Sequence, residues 1–357
     1  MTPDVLKPSH VHGPDDCEFD PALLEAFLRY RLHDLRGSMR LEKIGGGQSN
    51  PTYFVNFENR QLVLRKKPAG EVLPSAHAVD REYRVMKALA GTALPVPPVV
   101  LYHDSAEVVG TPFYVMERLQ GRVFGSNSLP GLASAERRAI YFAMGDTLAA
   151  LHAVDWRAAG LSDFGRSGGY FPRQLRRWKQ QWHLSRTRDN PAIDELLSWL
   201  AENDPRDDET TLTHGDFKLN NLMFHPTEPK VIAVFDWELS TLGHPLADVA
   251  FNTVAWRTLP HEFGGIRGLN LPALGIPFEH EYLAHYYVKA GRTDRARQAT
   301  PFHWAFALMR WAVIFEGITA RAVRGNAVSA DAKQVGAISV ALARRGLEAI
   351  DTPAPIV

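Results

Sequence analysis

Apolar positions follow two different periods along this chain. Between residues 39 and 118 they come in short alternating or continuous runs, separated by glycine, proline and polar clusters. Met39–Ile44, Thr52–Phe57, Gln61–Lys66, Val99–His103 and Phe113–Arg118 therefore read as strands. Two helical patterns accompany them. Asp20–Leu35 carries Leu24, Phe27, Leu28 and Leu32 at helical spacing, with Asp20 as N-cap and Pro21 in the first turn; Ser75–Ala90 carries Val79, Tyr83 and Met86. Beyond residue 120 the helical period dominates: Ser134–His152, a stripe of Leu175, Trp178 and Trp182, then Asn190–Leu200, Leu246–Thr253, Glu279–Lys289, Pro301–Ala322 and Asp331–Ile350. Strands first and helices later indicate an α+β chain of two lobes. The expected small lobe holds an antiparallel sheet and nucleotide (residues 1–119). The expected large lobe, residues 120–357, is mainly helical and catalytic.

One stretch, residues 211–251, breaks the helical pattern. A short β run ends at His214, a polar loop follows, and Leu222–Phe224 and Val231–Phe235 form a hairpin that stops on Asp236. His214, Asp216, Lys218, Asn221 and Asp236 would then be displayed together. An Asx-rich hairpin turn accounts for any one of these residues, but not for their joint spacing. Phosphoryl transfer does. Asp216 can accept a hydroxyl proton, Lys218 brings positive charge to the moving phosphate, and Asn221 and Asp236 offer hard oxygens to Mg²⁺. The two Asp carboxylates are then expected within about 10 Å of each other, because one Mg-phosphate must touch both.

Upstream, the glycine turn containing Gly46, Gly47 and Ser49 joins two strands. That is the layout of a loop folding over nucleotide phosphates, although such a turn is often only a turn. It is not a Walker A sequence, which needs Gly-Lys-Ser/Thr opening a helix. The third strand, QLVLRK, either offers Arg65 or its neighbour Lys66 as a phosphate-binding cation or simply ends in a solvated basic run.

Composition narrows the class. The 357 residues are 45% hydrophobic and 22% charged, enough for one large domain or two lobes. Lys+Arg and Asp+Glu both number 40, so no global basic field attracts nucleic acid and no polybasic tail addresses a membrane. Cys17 is the one cysteine, which leaves no disulfide framework or thiolate cluster. The N-terminus lacks a signal-peptide pattern. The most apolar run, Trp304–Phe315, is short and interrupted by Arg310. A cytoplasmic location is the expectation, and the oligomeric state stays open.

The spacing His-x-Asp-x-Lys-x-x-Asn, followed by a metal-binding Asp on the next hairpin strand, resembles the protein-kinase catalytic loop. With His-Gly-Asp and Asp-Trp-Glu in place of the usual triplets, it looks more like the aminoglycoside and choline kinase superfamily. Residues 20–350 resemble the aminoglycoside phosphotransferase-like family through VLRKKP (63–68), LPSAHAVDREYRVMKAL (73–89), GTPFYVME (110–117), HGDFKLNNLMFHP (214–226) and FDWELSTLGHPLADVAF (235–251). The nearest likeness is to the kinase-like domain fused ahead of some acyl-CoA dehydrogenases.

The resemblance implies a two-lobed protein-kinase-like fold using ATP and Mg²⁺. It implies that Glu82 holds Arg65, and that backbone groups around Glu117 and Leu119 meet the adenine. Asp248, at a helix start, is expected to cap amides and brace the loop, and His152 to be structural.

Charge bears on the substrate. Residues 253–357 carry twelve Lys/Arg and eight Asp/Glu, a balance of +4, and Phe164–Arg188 carries seven basic residues and no acid. A polycationic aminoglycoside calls for acidic walls. The expectation is thus an anionic small molecule, a 4-hydroxyacyl-CoA by the likeness to fused relatives; Arg173, Arg176, Arg177 and Lys179 form either an ordinary solvated face or a surface that meets its phosphates. The alternatives are an aminoglycoside or amino-alcohol kinase and a nucleotide-binding pseudokinase module. A protein kinase fits less well, because the segment after Asp236 is short and Ala-Pro-Glu is missing.

Overall fold

The structure is a computed structural model that describes residues 17–45, 50–69, 78–323 and 332–351, apart from the side chains of 296 and 332–335. In chain order the elements are α1 (Pro21–Arg31), β1 (Arg40–Lys43), β2 (Thr52–Asn56), β3 (Gln61–Lys66), α2 (Val79–Leu89), β4 (Val99–His103), β5 (Phe113–Glu117), α3 (Ser134–His152), α4 (Tyr170–Ser185), α5 (Pro191–Glu202), β6 (Thr211–Thr213), β7 (Leu222–Phe224), β8 (Val231–Val234) and β9 (Thr241–Gly243). They continue with α6 (Pro245–Asn252), α7 (Val254–Arg257), α8 (Pro260–Phe263), α9 (Leu271–Leu274), α10 (Glu279–Lys289), α11 (Pro301–Val323) and α12 (Ala332–Asp351). This is the α+β, two-lobed kinase-like fold. The chain falls into two compact units, Met1–Phe124 with Asn221–Ser240, and Gly125–Asn220 with Thr241–Val357.

In the first unit a five-stranded sheet runs in the order β1-β2-β3-β5-β4, every neighbouring pair antiparallel. Central β3 reads Leu-Val-Leu because both of its faces are covered. One sheet face packs on α1 through Leu24 and Leu28, which meet Tyr53, Val55, Leu62, Leu64 and Phe113 in one buried cluster. Asp20 caps α1 by accepting from the Ala22 N–H at 2.9 Å. The helix ends at Arg31, short of the expected Leu35, because Leu32 turns to an extended backbone. Hairpin β7–β8 belongs to this unit as well, pairing Leu222 with Val234.

The second unit is built around α11, whose side chains are buried on nearly all sides, which explains its unbroken apolar character. It packs against α4, α5, α6 and α12, while α10 lies against α3. Helix α4 starts after Gly169, whose φ of 54° favours glycine, and then buries Leu175, Trp178 and Trp182 along one stripe. The segment after Asp236 holds a strand that the pattern did not announce: β9 pairs antiparallel with β6, matching Thr213 with Thr241. Three residues are too few to show a period. Among the described residues no helix is long and apolar enough to cross a membrane.

Candidate active site

In the first unit the sheet register sorts the two candidate cations. Arg65 lies opposite Tyr114, and Lys66 opposite Phe113, so their side chains leave on opposite faces. Lys66 is buried over the Phe19 ring, with Glu18 at 3.4 Å. Arg65 faces α2, where its Nε lies 3.1 Å from Glu82, and its guanidinium donates to Asp236 Oδ1 at 2.9 Å. Glu82 is fully buried and also accepts from Asn50 Nδ2 at 2.7 Å and from the Tyr114 hydroxyl at 3.0 Å. Burial pushes the Glu82 pKa up against the pull of Arg65. Burial opposes the charge on Arg65 too, but Glu82, Tyr114 and Asp236 outweigh it, and its pKa rises. Arg65 is therefore a fixed cation aimed at Asp236.

Asp236 has a φ of 64°, a left-handed backbone uncommon outside glycine and asparagine. It follows β8, where the Phe235 N–H donates to the Asn221 carbonyl at 2.9 Å. Hairpin pairing thus sets Asn221 across from Phe235, with Asp236 the next residue along. Strain of this kind, kept where the surrounding structure fixes it, is a mark of functional positions.

At the end of β5 the Glu117 N–H donates to the Pro98 carbonyl at 2.9 Å. Proline has no N–H to return, so the Glu117 carbonyl gets no reciprocal bond from that residue. The Glu117 side chain is taken by Arg60 at 2.5 Å. Leu119 lies just past the strand, and no hydrogen bond to its backbone occurs among the described residues. Gly46, Gly47 and Ser49 lie outside the described residues.

In the second unit the loop after β6 carries Asp216 and Lys218, whose Nζ lies 3.0 Å from Asp216 Oδ2. Lys218 also sits over the Trp311 ring, 5.4 Å from its centroid. The loop is tied from beneath. Asp248 of α6 accepts from the backbone N–H groups of His214 at 2.6 Å and Gly215 at 2.8 Å. Burial raises the Asp248 pKa, but His152, His214 and the backbone donors bring it below the ordinary range. His152 lies 3.5 Å from Asp248 through Nε2, with Nδ1 2.6 Å from the Tyr286 hydroxyl. Burial depresses the His152 pKa despite Asp248. Asn252 donates to the Phe217 carbonyl at 3.2 Å and accepts from Tyr282. Asp248 braces the loop as expected, but the cap of α6 is His244, which accepts from the Leu246 N–H at 3.2 Å.

The basic helix α4 is divided by its surroundings. Arg173 donates to the carbonyls of Gly168 and Arg166. Arg176 and Lys179 line a groove of about 720 Å³ whose other wall carries Asp194, Glu202 and Asp204. The acid-free run in sequence is therefore not acid-free in space. Asn50, Tyr114, Tyr286 and Asn252, which anchor candidate residues, went unmarked in the sequence. Only the position of Tyr114 opposite Arg65, once the register is known, points to it.

The family model for the phosphotransferase enzyme family matches residues 40–297. That span includes each candidate residue above. The chain belongs to the phosphotransferase enzyme family. It is 42% identical to the crystal structure of a candidate aminoglycoside phosphotransferase from Ralstonia eutropha JMP134, at a TM-score of 0.84, covering 94% of this chain and 99% of that one. A mutant of the aminoglycoside phosphotransferase APH(4)-Ia, in a ternary complex with ADP and hygromycin B, shares the fold at a TM-score of 0.58 and 20% identity, covering 90% of this chain and 98% of that one. Acyl-CoA dehydrogenase family member 10 of Mus musculus is 45% identical over 86% of this chain but only 29% of its own length. Family member 11 of Gallus gallus is 41% identical over 92% of this chain and 43% of its own length. The chain thus spans less than half of these curated relatives.

Proposed function

We propose that this protein is a kinase that moves the γ-phosphate of ATP, with Mg²⁺, to a hydroxyl of a small anionic acceptor. The acceptor class is a 4-hydroxyacyl-CoA. The observation that carries the reading is the Glu82–Arg65–Asp236 chain of charges with Asp236 held in a left-handed backbone. A carboxylate aligned by a fixed guanidinium suits a magnesium phosphate far better than it suits a structural turn.

The residues fit the nucleotide and metal. Asn221 and Asp236 provide the hard oxygens that Mg²⁺ prefers, and Arg65 provides the cation for the phosphates. Backbone groups at Glu117 and Leu119 suit the adenine edge, and Gly46, Gly47 and Ser49 are the candidate phosphate loop. When bound, Mg²⁺ neutralises charge on the transferring phosphate. Asp216 takes the proton of the acceptor hydroxyl. Lys218, already beside it, keeps that carboxylate oriented and offsets charge on the acceptor side. Asp248 and His152 position the loop through its backbone.

The fused relatives, whose names refer to acyl-CoA, support the acceptor class, as does the +4 balance of residues 253–357. The structural likeness to aminoglycoside kinases favours the second reading, an antibiotic or amino-alcohol kinase. Purified protein with Mg·ATP, offered 4-hydroxyacyl-CoAs, kanamycin-type amines and choline, separates them. Phosphate transfer to the thioester alone is the expected result. Transfer to amines alone establishes the second reading. Nucleotide binding without any transfer leaves a pseudokinase module.

A further inference from the structure

Arg310 of α11 is 7% exposed and makes no hydrogen bond or ion pair among the described residues; its Nε is buried without an acceptor. A charge buried in this state is costly, and two other buried arginines are paired, Arg257 with Glu279 and Arg292 with Glu209. A second guanidinium faces the same place. Arg177 of α4 and Arg310 each lie 5.5 Å from the centroid of the Trp178 ring. Arg177 has no acceptor or acid among the described residues either, and the buried Nε1–H of Trp178 has no acceptor. Packing around its head, and then the charge on Arg310, lower the Arg177 pKa. Two like charges thus lie together with hydrogen-bond donors to spare and no anion from the described residues.

We propose that Arg177 and Arg310, with the indole N–H of Trp178, form a binding site for an oxyanion, a carboxylate or a phosphate carried by the phosphoryl acceptor. Arg310 is outside the residues matched by the family model. It adjoins Trp311, the residue over which Lys218 sits, so one turn of α11 carries both the anion site and the wall of the catalytic loop. The link to the acceptor rests on the kinase reading above; the binding of an oxyanion does not.

The test is calorimetry on the full chain without nucleotide, with wild type, Arg177→Gln and Arg310→Met. The probes are 4-hydroxypentanoate, its CoA thioester, its dephospho-CoA thioester and its neutral pantetheine thioester. At least one anionic probe should bind the wild type and lose roughly tenfold or more in affinity in each variant, as expected for a lost charge-assisted hydrogen bond. The neutral thioester should not change. Which anionic probe suffers identifies the carboxylate or a particular phosphate. Arg310→Met should also raise the ligand-free Tm by about 2 °C or more, where a merely structural arginine would lower it. Arg177 is exposed, so its variant decides the matter if Arg310→Met does not fold. The site is overturned if no anionic probe binds the wild type, if both variants bind like wild type, or if the neutral probe weakens equally. Phosphate transfer with unchanged KM in the variants removes the site and keeps the kinase. Variant-sensitive binding without transfer to any acceptor removes the kinase reading and keeps the site.

Discussion

Arg65 is half-buried and Arg310 buried, and their surroundings are opposite. Arg65, in the first unit, is met by Glu82 and Asp236, and Glu82 is in turn satisfied by Asn50 and Tyr114. Arg310, in the second, meets an aromatic ring and another arginine. A cation that the chain pairs with its own carboxylates is a positioned part. A buried cation left unpaired among the described residues is waiting for charge from outside.

The largest effect expected is on turnover. Asp216→Asn should cut phosphate transfer by about 10²–10⁴ while sparing nucleotide binding, the range for a positioned proton acceptor. Asp236→Asn keeps a residue that tolerates the left-handed backbone, so it should fold normally but lose Mg·ATP-dependent activity; full activity in single-turnover assays would sink the metal assignment. Next comes stability. Glu82→Ala strands the Arg65 charge and should cost about 3–5 kcal/mol in urea unfolding, opposite in sign to Arg310→Met. Equal signs for the two would erase the comparison.

A third effect concerns acid. His303 accepts from the Thr300 N–H at 3.0 Å and packs on Phe171, and burial, then His244, push its pKa down to about 3. The unfolded chain takes up a proton near pH 6.5 that the folded chain refuses. Stability contributed by neutral His303 is therefore whole above 6.5, falls as the pH drops from there towards 3, and levels below. His303→Gln should flatten that slope by up to about 1.4 kcal/mol per pH unit, read from urea midpoints across the range. The smallest effect expected is at Arg176. Its groove already holds Asp194, Glu202 and Asp204, so Arg176→Gln should leave the acceptor KM unchanged, unlike Arg177→Gln.

Much of the fold was legible because its elements are long and strongly periodic. Gln61–Lys66, Ser134–His152 and Glu279–Lys289 have the bounds their patterns indicate. β9 was not legible, since three residues carry no period and their strand state comes from pairing with β6. The site divides in the same way. His214, Asp216, Lys218, Asn221 and Asp236 stand out because one local stretch carries them. Tyr114 and Asn50 did not, because their only distinction is to reach Glu82 from distant parts of the chain.

The sequence by itself determined the family, the strand-then-helix order and the polar residues of the candidate catalytic stretch, all of which depend on local spacing. Only the tertiary structure set Arg65 towards Glu82 and Lys66 over Phe19, because the sheet face each side chain leaves is set by register with β5. It alone divided the basic helix, placing acids beside Arg176 and Lys179 and Arg310 beside Arg177. Charge counted along a chain says what is present; whether a charge is answered depends on the neighbours that folding brings within a few ångströms.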